Sequence, residues 1–228
     1  MELIAEIGNN HFGSLNRFKE MIRIAHECGA TKVKAQAIDT EKPLGGSMPQ
    51  MFYHEVALEP AQYLEALEYA RDMGVDLFYS VFSPELSWLT WHQDYQKISA
   101  SQMNKVSFFR SVSRENFYVS VNDEFLASGK LVYLHKTKSL VFYATPYNTT
   151  FVDFSNLQAL SAVCPRYGLS DHSIGIGFAL EAKQYGISGV EKHFTLDKNW
   201  KFANHVFRDT VHGCNPKELE LLAKGLGL

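Results

Sequence analysis

Gly168-Leu169-Ser170-Asp171-His172-Ser173 closes one short apolar run, and Gly189-Val190-Glu191-Lys192-His193-Phe194 closes the next. The residues between them, Ile174 to Gln184, read as a helix. A strand, helix, strand unit of this kind needs a parallel sheet, because the crossover carries the chain back before the second strand begins. Alternate side chains of a strand share a face, so Ser170 and His172 point together, as do Glu191 and His193 on the next strand. Neighbouring strands lie about 4.8 Å apart, so histidines at the same ends of both can hold one divalent metal, with a carboxylate close to one of them. The alternative is a pair of histidines bonded to backbone or carboxylate.

Around this unit the chain alternates. Leu3 to Ile7 reads as a strand, Gly8 to Gly13 as a loop, and Ser14 or Asn16 can cap a helix that runs to Glu27 and closes at Gly29. Lys32 to Gln36 is the second strand. A long loop from Ala37 to Glu59 exceeds what a compact fold carries without a purpose. Pro60 then opens a helix to Met73, and Asp76 to Phe82 is the third strand. A helix from Ser83 to about His92, a strand from Tyr95 to Ser99, a short helix from Met103 to Ser113 and a strand from Phe117 to Val121 follow. Leu131 to His135 alternates like a strand, so a hairpin with Leu140 to Ala144 is expected where the pattern calls for a helix. Helices at Phe154 to Val163 and Pro216 to Lys224 flank the opening pair of strands.

Strands separated mostly by helices in 228 residues fit a compact (β/α)8 TIM barrel forming one domain over 1–228, with shortened or irregular elements around 122–140. The competitor, an open doubly wound sheet, lacks a Gly-rich dinucleotide loop after its first strand. The barrel also accounts for a parity effect. Polar residues at the strand ends fall on one face: Glu6; Lys34 and Gln36; Ser80; Lys97 and Ser99; Ser120 and Asn122; Thr145 and Tyr147; Ser170 and His172; Glu191 and His193. Strand ends that all turn polar groups inward describe a site at the C-terminal mouth.

Composition narrows the partners. The net charge of −3 and dispersed Lys and Arg give no nucleic-acid or anionic-membrane footprint. No apolar run approaches the roughly 20 residues of a membrane span, and Met1-Glu2-Leu3-Ile4-Ala5-Glu6 is not a signal peptide, so a cytoplasmic protein is expected. Cys28, Cys164 and Cys214 are too widely spaced for a zinc pattern and too few for a disulfide framework; Cys28 and Cys164 read as core or helix-packing residues.

Ile4-Ala5-Glu6-Ile7-Gly8-Asn9-Asn10-His11-Phe12-Gly13-Ser14, Val33-Lys34-Ala35-Gln36, Ser170-Asp171-His172 and Glu191-Lys192-His193-Phe194-Thr195-Leu196-Asp197 closely resemble the barrel domain of N-acetylneuraminate (sialic acid) synthases and their legionaminate and pseudaminate relatives. The resemblance covers nearly the whole chain. It implies a transferase that condenses phosphoenolpyruvate with the open-chain aldehyde of an N-acylated sugar such as N-acetylmannosamine, releasing phosphate and forming a 2-keto sugar acid. By the same resemblance a divalent metal, typically Mn²⁺, sits on His172 and His193 and polarises the aldehyde oxygen. Lys34, Lys97, Ser120 and Ser170 match the positions that receive phosphoenolpyruvate, whose charge calls for cationic and hydroxyl groups. Glu191 is the candidate for acid-base work or for orienting the sugar, with a structural carboxylate paired to a cation as the alternative. Glu6, Gln36, Tyr147 and Asn148 read as substrate-binding groups. Strand parity points Asp171 and Lys192 away from the lumen, and His11 suits surface hydrogen bonding as well as catalysis.

The chain also departs from the family. Its Lys97-Ile98-Ser99-Ala100-Ser101-Gln102 stands where the family usually reads Lys-Ile-Gly-Ser-Gly-Glu, and Ser120-Val121-Asn122-Asp123 where it reads Ser-Thr-Gly-Met. Ser99 or Ser101 is placed to compensate for the serine replaced by Ala100. Family members usually add an N-terminal extension and a C-terminal antifreeze-like domain that packs over the partner's active site. No segment here matches either, so a homodimer is expected only through the barrel itself. Two functions from different classes follow: a minimal metal-dependent synthase, or a degenerate barrel that binds a sugar or phosphorylated ligand without turnover. An aldolase or another phosphoenolpyruvate-using barrel would keep the metal and change the sugar.

Overall fold

The computed structural model describes residues 1–38, 50–82, 84–102, 117–134, 138–202 and 205–228. Eight parallel strands close into a barrel in simple order: β1 Glu2–Gly8, β2 Lys32–Ala37, β3 Leu77–Val81, β4 Gln96–Ile98, β5 Phe117–Val121, β6 Leu140–Ala144, β7 Tyr167–Asp171 and β8 Gly189–His193. β1 completes the ring by pairing with both β2 and β8. The expected (β/α)8 architecture is therefore the observed one.

The helices form where their caps predict. Leu15–Glu27 starts at Ser14, whose side chain accepts from the Arg17 amide, and it buries Phe18, Met21, Ile22 and Ala25 at helical spacing. Pro60–Asp72 opens with proline in its first turn and a capping box between Glu59 and Gln62. Pro216–Leu226 does the same with Asn215 and Glu218. Part of the long loop after β2 is helical, at Gln50–Val56; its residues 39–49 lie outside the described residues, as does the expected helix from Met103 to Ser113.

Three expectations need correction. The segment Lys130–Leu134 is a 3-10 helix, not a strand, and follows a short α-helix at Asp123–Ala127, so the βα alternation continues without a hairpin. Asn122 starts the short α-helix by accepting from the Phe125 amide at 3.0 Å. Leu131 and Leu134, three residues apart, then both reach the core, a spacing that a 3-10 turn satisfies. The segment after β3 is likewise 3-10, over Pro84–Trp91. The helix expected from Ile174 to Gln184 is divided into an α-helix at Gly177–Glu181 and a 3-10 turn at Ala182–Tyr185, closed by Gly186 in the left-handed region.

Most of the core lies between strands and helices, where Val33, Ala35, Tyr79, Val119, Val121, Leu169 and Val190 pack outward. Inside the barrel Ile4, Phe78, Tyr118, Leu140 and Phe142 form a separate cluster, with Tyr95 against it. Tyr118 stacks between Phe78, at 5.1 Å, and Tyr95, at 5.5 Å. Gly168 makes this filling possible: a Cβ there would lie 2.2 Å from the Gly189 carbonyl and 3.0 Å from the Phe142 ring. These interior residues sit two positions before the polar ones, Ile4 below Glu6, Phe78 below Ser80 and Tyr118 below Ser120, so strand parity builds an aromatic floor under the mouth.

Candidate active site

Every inward polar residue expected at the strand ends lines one cavity of about 660 Å³ at the C-terminal mouth. Two of them arrive by another route than parity. β6 ends at Ala144, which holds the inward position, and Thr145 and Tyr147 enter the wall from the loop beyond it. Thr145 stays because its Oγ1 accepts from the His172 amide at 2.8 Å while its own amide donates to the Ser170 carbonyl at 3.0 Å. Asn148 is the exception. It is exposed, adopts a left-handed φ of 57°, and its Oδ1 is 2.8 Å from His212 Nε2, away from the cavity lining.

At the cavity base the charges alternate. The Lys34 ammonium contacts a Glu6 carboxylate oxygen and lies 3.2 Å from Glu191 Oε1; Lys97 lies 2.9 Å from Glu191 Oε2. Ser170 donates to Glu191 Oε1 at 2.9 Å, and the Gly8 amide donates to Glu6 Oε1 at 2.6 Å. All of these side chains are buried. Burial lowers the Lys34 ammonium to about 8 against the pull of Glu191, and lowers Lys97 in the same way. Burial alone would raise Glu191, but Lys34 and Lys97 hold its carboxyl well below the usual range. In the resting protein Glu191 is thus an ionised strut between two cations, which suits orientation better than proton donation. Ser120 presents a different case, since its buried hydroxyl meets no partner among the described residues and lines the cavity. Gln36 accepts from Asn9 at 2.9 Å, and Ser99 makes a 2.9 Å hydroxyl pair with Ser101.

The two histidines face each other across the mouth with ring centroids 5.3 Å apart. His172 Nδ1 lies 3.0 Å from the Thr145 carbonyl, which can only accept, so Nδ1 carries the proton and Nε2 keeps its lone pair. His193 Nε2 lies 3.0 Å from the Tyr147 hydroxyl, while its Nδ1 is buried without a partner among the described residues. Burial, then the neighbouring His193, brings His172 to about 3; burial also lowers His193, so both rings are neutral near pH 7. Among the described residues no group of three or more His, Cys, Asp or Glu side chains forms a metal cage. The donor set fits a cation held by two imidazoles with its other positions open to water or substrate, the arrangement of a working site and not of a structural one.

Sequence reasoning missed Asp209 and Arg208, both in the cavity wall. Asp209 is buried, accepts from Tyr147 at 3.0 Å and lies 4.0 Å from His193 Nε2. Arg208 lies over the Tyr147 ring at 3.7 Å. They belong to the short helix Arg208–His212, which returns to the mouth because Phe194 bridges to Cys214 and Thr210 donates to Asn10 at 3.0 Å. An acidic residue in the first turn of a helix was the available signal. His11 is not at the surface: it is fully buried against Phe18, outside the cavity lining, with Nδ1 accepting from the Gly13 amide at 3.2 Å. Asp171 and Lys192 pair at 3.0 Å outside the lumen, as parity expects. Gln102 is buried and donates to the Val81 carbonyl at 2.8 Å, so it ties β3 to the loop after β4 and does not enter the cavity.

Comparison with known proteins agrees with this arrangement. The NeuB family matches residues 127–226. N-acetylneuraminate-9-phosphate synthase of Homo sapiens is 27% identical over 234 residues, covering 89% of this chain and 64% of that protein. N,N'-diacetyllegionaminic acid synthase of Campylobacter jejuni is 25% identical over 251 residues, covering 96% of this chain and 73% of that one. The chain thus spans about two thirds of the length of the human relative. The solved N-acetylneuraminic acid synthetase of Leptospira borgpetersenii, in complex with citrate, superposes with a TM-score of 0.83 at 22% identity, over 99% of this chain and 82% of that one, and shares its fold. The family match, these relatives and the motifs at the strand ends thus agree in making the chain similar to the barrels of the NeuB, or sialic acid synthase, family.

Proposed function

We propose that the chain is a transferase that joins phosphoenolpyruvate to the open-chain aldehyde of an N-acylated aldose, N-acetylmannosamine or a relative, giving a sialic-acid-type 2-keto sugar acid and phosphate. The observation that carries this reading is the convergence of Lys34, Lys97, Ser120, Glu191 and two neutral imidazoles in one cavity at the barrel mouth. In the reaction the methylene carbon of phosphoenolpyruvate bonds to the aldehyde carbon, water adds to C2, and the C2–O bond to phosphate breaks. Lys34 and Lys97, with the Ser120 hydroxyl, receive the anionic substrate, and Glu191 bridges the two ammonium groups in its absence. Lys34, brought to about 8, is the group best matched to give a proton to the developing alkoxide. His172 and His193 would hold a divalent cation, Mn²⁺ by preference, which supplies Lewis-acid polarisation of the aldehyde.

The test is phosphate release from phosphoenolpyruvate with Mn²⁺ present and a panel of acylated aldoses. Release that depends on both sugar and metal is the expected result. The second reading, a binder without turnover, has one observation in its favour: Ala100 brings a methyl group to the cavity wall at a place where the family usually has a hydroxyl. Absence of release in folded, metal-loaded protein with every sugar would select it.

A further inference from the structure

The Tyr147 hydroxyl has one proton to give, and beside the Arg208 guanidinium, which can only donate to it, it meets Asp209 Oδ1 and His193 Nε2, each at 3.0 Å. A carboxylate accepts more strongly than a neutral imidazole and has no proton to offer, so the tyrosine proton goes to Asp209. The phenol oxygen must then accept from His193, which places the imidazole proton on Nε2. The unpartnered nitrogen of His193 agrees, because Nδ1 is the atom left buried and bare.

We infer that Asp209 is a positioning residue that acts through Tyr147 to fix His193 as the Nε2-protonated tautomer, with Nδ1 left as the unprotonated nitrogen. His172 is fixed in the opposite sense by the Thr145 carbonyl, so the two rings leave unlike nitrogens unprotonated. Arg208 supports the arrangement from the solvent side, with its Nε 3.5 Å from Asp209 Oδ1 and its guanidinium over the Tyr147 ring. The consequence for a cation rests on the function proposed above; the proton placement does not.

The tautomers are read directly by long-range ¹H–¹⁵N correlation on metal-free, ¹⁵N-histidine-labelled protein, with His172→Gln and His193→Gln spectra supplying the assignments. The wild type should show His193 protonated on Nε2 and His172 on Nδ1. Asp209→Asn should move His193 toward the other tautomer, Tyr147→Phe should do the same, and His172 should keep its pattern in both. A wild-type His193 protonated on Nδ1, or spectra of both variants like the wild type, would overturn the inference. Mn²⁺ titration followed by electron paramagnetic resonance, without substrate, forms the second arm. Removing such an outer partner should weaken binding by about 10-fold or more. If Mn²⁺ fails to bind the wild type while the tautomers are as stated, the metal reading falls and the proton placement stands.

Discussion

Lys34 and Glu191 set the electrostatics of the cavity base, and each makes a prediction at its own position. Burial brings Lys34 to about 8, below its ordinary value of 10.5, so it loses its charge on the alkaline side of neutrality. An anionic substrate that needs the ammonium should bind progressively less well as pH rises through about 8. The stability effect has the opposite sign. Between the lowered folded value and the higher unfolded one, the unfolded chain binds more protons, so Lys34 adds stability as pH rises. Apparent KM for phosphoenolpyruvate measured from pH 6.5 to pH 9.5 checks the first part, and a flat profile would refute it. Glu191→Gln removes the anion shared by Lys34 and Lys97. Leaving buried cations without their partner costs about 3–5 kcal/mol, which urea unfolding at pH 7 should register. Inorganic phosphate should recover part of that loss, because it replaces the missing charge; a variant as stable as wild type would show that the lysines are satisfied elsewhere.

The strands were the legible elements. Their inward residues are fixed by a period of two, so Glu6, Lys34, Lys97, Ser120, Ser170 and Glu191 could be assigned to the cavity before any coordinates. Loops carry no such period. Thr145 and Tyr147 reach the cavity through bonds to His172, His193 and Asp209, Asn148 is turned away by His212, and none of these partners is near in sequence. The strand expected over Leu131 to His135, whose last residue lies outside the described ones, has a different origin, since alternation and a three-residue repeat coincide over so short a run. Gly168 tests how strictly parity fills the barrel. Its absent side chain faces the Gly189 carbonyl and the Phe142 ring, neither of which can retreat without moving β8 or the aromatic floor. Gly168→Ala should therefore cost about 3 kcal/mol, at the upper end of ordinary overpacking. A denaturation midpoint within error of wild type would mean that β7 and β8 separate easily.

Closure of the barrel joins these local features into one unit, because β1 is bonded to β8 and the C-terminal return places Asp209 beside His193. Stacked aromatic rings seal the lumen beneath the charges, so the lysines and carboxylates interact over a low-dielectric base with water only above them. No helix among the described residues is long and apolar enough to cross a membrane. A cation on His172 and His193 would touch the ends of two adjacent strands and would be lost when the barrel opens. A ligand that binds only the folded state stabilises it by RT ln(1 + [L]/Kd), about 2.7 kcal/mol at a hundredfold excess over Kd. For a chain of this size that is roughly 5–10 °C in Tm. Melting followed by far-ultraviolet circular dichroism should rise by that amount with Mn²⁺ and fall back with EDTA. His193→Ala should lose the increment and all turnover while keeping a single cooperative transition, since the ring's nearest polar bond is to Tyr147 and the backbone of β8 is unchanged. An equal rise in His193→Ala would place the cation elsewhere, and the absence of any rise in wild type would remove the metal from the proposed chemistry.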